Sequence, residues 1–373
     1  MAGIYLHIPY CNTKCIYCDF YSITNHSTKV DMIDCLIKEI ESKAIELKDK
    51  KFDTIFFGGG TPSLLLPSDL NKLFNVLYSN LNISSDSEIS IEANPGTMNR
   101  KKLESFKELP INRISFGVQS FNNADLKFLT RIHSGRQAID SIKEAQDAGF
   151  NNINLDLIFA LPGQSLKGWE KNLETAVKLN TQHVSAYSLI FEEGTPLIKL
   201  YKLGKVRPAD EEKERKMYDF TMAFFEEYGF NHYEISNYAK PGYECRHNLK
   251  YWMHKEYISF GPSAASYIND YRWVNVRDVN EYIKRIKSGT MAYDFIEYID
   301  YDKSIDEYIM LGLRSTGIDI NILRERYKID FFSKYKSAAE LLIKNNLAEL
   351  KADTFYLTSK GYAVCDEILA TYF

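Results

Sequence analysis

Residues 2–18 read AGIYLHIPYCNTKCIYC. The run from Ala2 to Ile8 is short, apolar and stopped by Pro9, the pattern of a buried strand. Directly after it come Cys11, Cys15 and Cys18, at x3 then x2 spacing. Thiolates this close on one loop are able to serve one centre. A four-iron cluster needs four outer ligands, so a loop that offers three leaves one iron open. As a zinc site the same trio needs a fourth ligand, such as a distant histidine. The spacing favours the cluster, since a structural zinc knuckle more often shows two CxxC pairs.

Working outward, strands are expected at 53–57, 88–93, 113–118, 152–158 and 183–190. Helical periodicity fills the gaps at 29–49, 68–81, 99–107, 122–129, 135–148 and 165–179. Strand–helix units repeated without hairpin signals argue for an α/β fold, a parallel sheet with helices outside. Periodicity leaves an open sheet and a full or partial barrel both standing. The alternation breaks after Gly194-Thr195-Pro196. A charged helix follows at 208–228, then short strands at 232–237, 257–260 and 271–276, around a polar and aromatic stretch at 237–254. From 301 the chain is mostly helical, ending in a helix at 333–345, a hairpin at 347–357 and a helix at 359–371, which resembles a winged-helix module. The expected division is a core over 1–195, a connecting region over 196–300 and a C-terminal domain over 301–373.

At 373 residues the chain exceeds the ~250–300 at which single cores stop growing. Its net charge of −4 is not that of a nucleic-acid binder. Residues 318–373 carry eight basic and eight acidic side chains, too balanced a face for phosphate contact. No stretch of ~18 apolar residues predicts a membrane span, and no basic-then-apolar leader is seen. The expectation is a cytoplasmic chain with reduced thiols, Cys35, Cys245 and Cys365 being ordinary ones.

In parallel α/β folds the sites gather at the C-terminal ends of strands. The unusual residues fall there: the cysteines, then Gly58-Gly59-Gly60-Thr61-Pro62, then Glu92, Gln119 and Asp156. Glycines let backbone approach a ligand closely. Glu92 and Asp156 suit hydroxyls or an amine, and Arg131 suits a carboxylate. Taken singly, each is equally a tight turn, a solvated strand end or a surface ion pair. Together they describe a pocket for an amino acid attached to a nucleoside.

The CxxxCxxC loop, the GGGTP run and Arg113-Ile114-Ser115-Phe116-Gly117-Val118-Gln119 resemble the radical S-adenosylmethionine superfamily. The likeness is to its oxygen-independent coproporphyrinogen III oxidase-like group, and within that to a heme-chaperone branch, over nearly the whole chain. It implies a partial (β/α)6, TIM-like barrel and a [4Fe-4S] cluster on Cys11, Cys15 and Cys18. It further implies S-adenosyl-L-methionine on the fourth iron, contacted by Tyr5, Gly59, Gly60, Thr61, Glu92, Gln119, Arg131 and Asp156. The oxidases carry a further cysteine where this chain has Phe20. The chaperone branch carries an HNxxYW motif, here His247-Asn248-Leu249-Lys250-Tyr251-Trp252. Imidazole ligates heme iron, so the resemblance makes His247 the candidate axial ligand. Read from the residues alone, the stretch is a buried aromatic cluster with one satisfied histidine. Many relatives have Gly-Ala-His-Ser after Gly261. Here Pro262-Ser263-Ala264-Ala265-Ser266 puts Ala265 at the histidine.

The resemblance therefore implies a heme chaperone, with heme, a heme-acceptor protein and an electron donor as partners. The alternatives are a coproporphyrinogen III oxidase, which shares the same cofactor site, and a zinc-structured binding module. No catalytic residue is assigned.

Overall fold

The computed structural model describes residues 1–373. Six strands alternate with helices along the first half: β1 (Ala2–Ile8), β2 (Lys51–Gly59), β3 (Asn82–Ala93), β4 (Arg113–Gln119), β5 (Ile153–Phe159) and β6 (His183–Ser188). Each pairs in parallel with the next. β1 is buried along nearly its whole length, as its unbroken apolar run requires of a central parallel strand. The helices pack apolar faces on this sheet and end where the sequence signals it. Ser134, for example, accepts from the Gln137 N–H while the Gln137 side chain returns to the Ser134 N–H, a capping box.

The stretch expected as a connecting region adds six more strands to the same sheet. They are β7 (Asn231–Glu234), β8 (Asn237–Ala239), β9 (Tyr257–Phe260), β10 (Ala265–Ile268), β11 (Tyr271–Asn275) and β12 (Tyr293–Tyr298). The sheet order is β12-β11-β10-β9-β1-β2-β3-β4-β5-β6-β8-β7. β9 runs parallel to β1, and the outer strands are antiparallel. The sheet is thus mixed, with β12 and β7 as its two edges. The expected strand at 232–237 turns at Ile235-Ser236 to become the β7–β8 hairpin. β10 and β12 escape sequence reading because one is four residues long and the other is a largely exposed edge strand.

Beyond Tyr301 the chain is helical around a small sheet ordered β13-β15-β14 (Ile318–Asp319, Thr354–Leu357 and Ala348–Lys351). The expected terminal helix is in two pieces, Ser359–Tyr362 and Cys365–Tyr372, because Val364 leaves helical geometry at φ −131°. One hydrophobic core extends from Ala2 to Ala292, and a second, from Ile305 to Ile368, lies within the C-terminal region. No helix is long and apolar enough to cross a membrane.

Candidate cofactor and heme site

The cysteine loop leaves β1 and is pinned at both ends. The Cys11 N–H donates to Ile23 O at 2.9 Å and the Ile23 N–H to Pro9 O at 2.7 Å. All three thiols are free and half-buried. Burial raises the Cys11 thiol and pushes Cys18 up to about 11. The thiols do not converge, with any acid or histidine, on one ion-sized point. A cluster asks less of them, since each thiolate has only to reach its own iron. The donor set and its placement suit a cluster better than a single zinc ion.

The glycine run is explained by packing. A Cβ on Gly59 would lie 2.5 Å from the His7 ring, and one on Gly60 would lie 2.8 Å from backbone of Ile8, Pro9 and Tyr10. Gly59 also takes φ +106°, which favours glycine. Thr61 follows, its hydroxyl 3.3 Å from Cys11 Sγ. Asn94 Nδ2 donates to that hydroxyl oxygen at 2.9 Å. Arg131 joins the same corner. It donates to Asn94 Oδ1 and Gly117 O, and to Cys15 Sγ at 3.5 Å.

Glu92 is the last but one residue of β3, and Asp156 lies midway along β5. Glu92 accepts the Gly59 N–H at 3.1 Å. Its carboxyl is pushed up to about 8, chiefly by burial and then by the Asp156 charge. Asp156 accepts from Asn154 Nδ2 at 2.7 Å and from Ser115 Oγ at 3.2 Å, and burial raises it as well. The fully buried Arg113 supplies positive charge to Asp156 and to Glu88. Gln119, at a bulge between β4 and β5, holds φ +66°. For a non-glycine residue this is strained backbone, of the kind that collects at functional sites.

His247 sits near the start of a helix at Arg246–Trp252. The Glu88 carboxylate holds that end, accepting from the Arg246 N–H at 3.0 Å and the His247 N–H at 3.1 Å. His247 Nδ1 lies 2.8 Å from Thr54 Oγ1, and Nε2 lies 2.8 Å from Tyr251 Oη. Burial takes its pKa down to about 3, so the ring is neutral. Both nitrogens are therefore occupied, in a stack with Phe56 and Tyr5. Cys245 is fully buried and directs its thiol at Glu88, away from any metal role.

One cavity of about 370 Å³ gathers these groups. Its lining includes Cys11, Cys15, Cys18, Tyr5, Gly59, Gly60, Glu92, Gln119, Arg131, Asp156 and His247. Thr61 alone of the expected residues lies outside that lining, reaching the site through Cys11. Sequence reading assigned no site role to Arg113, Ser115, Asn154 and Tyr187, which also line it, as does Asn94 of the Glu92–Pro95 strand end. A signal existed for Arg113, a cation inside an otherwise apolar buried strand.

The profile of the radical SAM superfamily matches residues 5–176. The heme chaperone HemW of Bacillus subtilis is 36% identical over 375 residues, covering 100% of this chain and 99% of that protein. HemW of Lactococcus lactis is 34% identical, covering 98% and 95%. Among solved structures, coproporphyrinogen III oxidase HemN of Escherichia coli, a radical SAM enzyme, superposes with TM-score 0.84. It has 21% identity, over 100% of this chain and 90% of that one, a likeness of fold. The chain belongs to the radical SAM superfamily and, within it, to the HemW-type proteins.

Proposed function

We propose that the chain is a heme chaperone, which binds heme and passes it to an acceptor protein without oxidising coproporphyrinogen. One observation carries the reading. The three thiols, the Glu92–Asp156–Arg131 set and the His247–Tyr251 pair face one cavity, in a chain akin along its whole length to proteins named heme chaperones. Cys11, Cys15 and Cys18 would each hold one iron of a [4Fe-4S] cluster. When bound, that cluster supplies an electron and one open iron for the amino acid end of S-adenosyl-L-methionine. Arg131 would pair with the ligand's carboxylate, while Glu92 and Asp156 would take its ammonium and ribose hydroxyls. Tyr5, Gly59, Gly60, Thr61 and Gln119 complete the wall.

His247 is the candidate heme ligand. To hold iron, His247 would give up Tyr251 at Nε2 or Thr54 at Nδ1. Phe20, 65% exposed, stands where the oxidases carry a further cysteine. We also read β1–β6 with their helices as a partial (β/α)6 barrel. Residues 301–373, with their own core, are read as a winged-helix-like domain; none of them lines the cavity, and Arg326 shares a separate hollow with Met1 and Ala2 at the start of β1. Heme titration of anaerobically reconstituted protein tests the function. A saturable spectral change is expected, and His247→Ala should alter it. No change with the wild type, or turnover of coproporphyrinogen, would overturn the reading.

A further inference from the structure

The cavity continues past the cofactor residues. Tyr5, Phe20 and Tyr251 line it and also line a second hollow of about 350 Å³. Tyr21, Tyr257, Ala265 and Arg277 are among the residues that complete this annex. Its volume is in the range of small-ligand pockets, which are mostly apolar with a few placed polar groups.

The walls have a definite chemistry. The Tyr251 and Tyr257 rings meet edge-on at 4.5 Å, forming a rigid aromatic corner. Phe20 presents a large ring with 65% of its surface in water. Ala265, at the start of β10, projects only a methyl group and so keeps the space open. Arg277 is exposed at the rim, where it donates to the Asp19 carbonyl at 2.7 Å and joins no ion pair. Flat apolar walls, with a guanidinium at the edge that is held by the Asp19 carbonyl and the Tyr21 ring but has no acidic partner, suit a planar aromatic ligand that carries a carboxylate. The annex also adjoins Tyr251, whose hydroxyl is the partner of His247 Nε2 at 2.8 Å.

We propose that this annex seats the porphyrin, with Phe20, Tyr251 and Tyr257 against the ring and Arg277 paired to a propionate. The inference rests on the heme-chaperone reading and adds where the ring lies and what holds its acid. The Asp19 carboxylate is the one acidic group in the lining and opposes the pair. With that opposition, and with Arg277 in water, the pair contributes roughly fivefold to affinity.

The test titrates heme and its propionate dimethyl ester into the reconstituted full chain, as wild type, Arg277→Gln and Ala265→Trp. Wild type should bind heme about fivefold tighter than the ester, and Arg277→Gln should abolish that difference by weakening heme alone. Ala265→Trp fills the annex and should weaken both ligands at least about tenfold. Cluster absorbance and S-adenosylmethionine affinity should match wild type throughout, which controls for folding. If Arg277→Gln keeps the full heme–ester difference, or if folded Ala265→Trp binds both ligands normally, the porphyrin lies elsewhere and the annex is refuted while heme binding stands. If wild type binds no heme, the functional reading itself falls.

Discussion

Replacing Glu92 with glutamine separates the folding cost of the site from its use. The Glu92 carboxyl sits at about 8 in the fold against an ordinary 4.5, with burial the main cause and the Asp156 charge second. The folded chain therefore holds a proton that the unfolded chain gives up. This group favours the fold fully below about pH 4.5 and loses that contribution as pH rises toward 8, beyond which the loss is complete. At about 1.4 kcal/mol per decade of pH, the full displacement would be about 5 kcal/mol. Glu92 lines a cavity and is half-buried, so water screens it and we expect about 2 kcal/mol. Glutamine keeps the shape and does not titrate. The cofactor-free Glu92→Gln protein should thus match wild type at pH 5 and melt about 2–4 °C higher at pH 8. Its affinity for S-adenosylmethionine should match wild type at pH 5, where Glu92 is already neutral, and fall below it at pH 8, where the wild-type carboxyl carries part of a counter-charge for the ammonium. Thermal melts across that range, with calorimetric titration of the ligand on reconstituted protein, read both arms. Equal pH slopes for wild type and variant would refute the placement of Glu92 as a charge held against its solvation preference.

Arg131→Lys should weaken S-adenosylmethionine at least about tenfold in calorimetric titration, because an ammonium cannot serve Asn94, Gly117 and Cys15 in one plane. Its iron content should stay at the wild-type level. Gln119→Gly should relieve the φ +66° strain and raise the melting temperature by about 1–2 °C, while lowering cofactor affinity. Glu88→Gln removes the counter-charge of buried Arg113 and weakens the grip on the 246–252 helix. It should cost about 2–3 kcal/mol, seen as a lower melting temperature, and should weaken heme binding with it. Because burial holds His247 neutral down to about pH 3, heme affinity should be flat between pH 6 and 8, and a drop with a midpoint near 6.5 would contradict that.

The parallel core was readable because each central strand is an uninterrupted apolar run bounded by turn residues, and β1 and β9 fall where the sequence put them. The cavity-lining residues were legible from position together with the family resemblance. Cys11 follows β1, Gly59 and Gln119 end β2 and β4, Glu92 lies near the end of β3 and Asp156 midway along β5, and parallel pairing brings them to one cavity. What escaped is set by contacts distant in sequence. The 246–252 helix has only two turns and no apolar period, and its start is fixed by Glu88 from β3. Arg113 is tolerated inside β4 because Glu88 and Asp156 supply its counter-charge. The buried line from Asp156 through Asn154 to His183 and Tyr233 joins three chain segments that no local pattern links. The strands after 230 are short, and their place in the main sheet is set by distant partners, β9–β12 joining through the second edge of β1 and β7–β8 through β6.

The most direct test is to quantify iron, sulfide and heme on the full chain after anaerobic reconstitution and removal of unbound ligand. The account predicts about four non-heme irons, about four sulfides and about one heme per chain, the heme signal altered in His247→Ala. Colourless, zinc-loaded protein that retains no heme would contradict it.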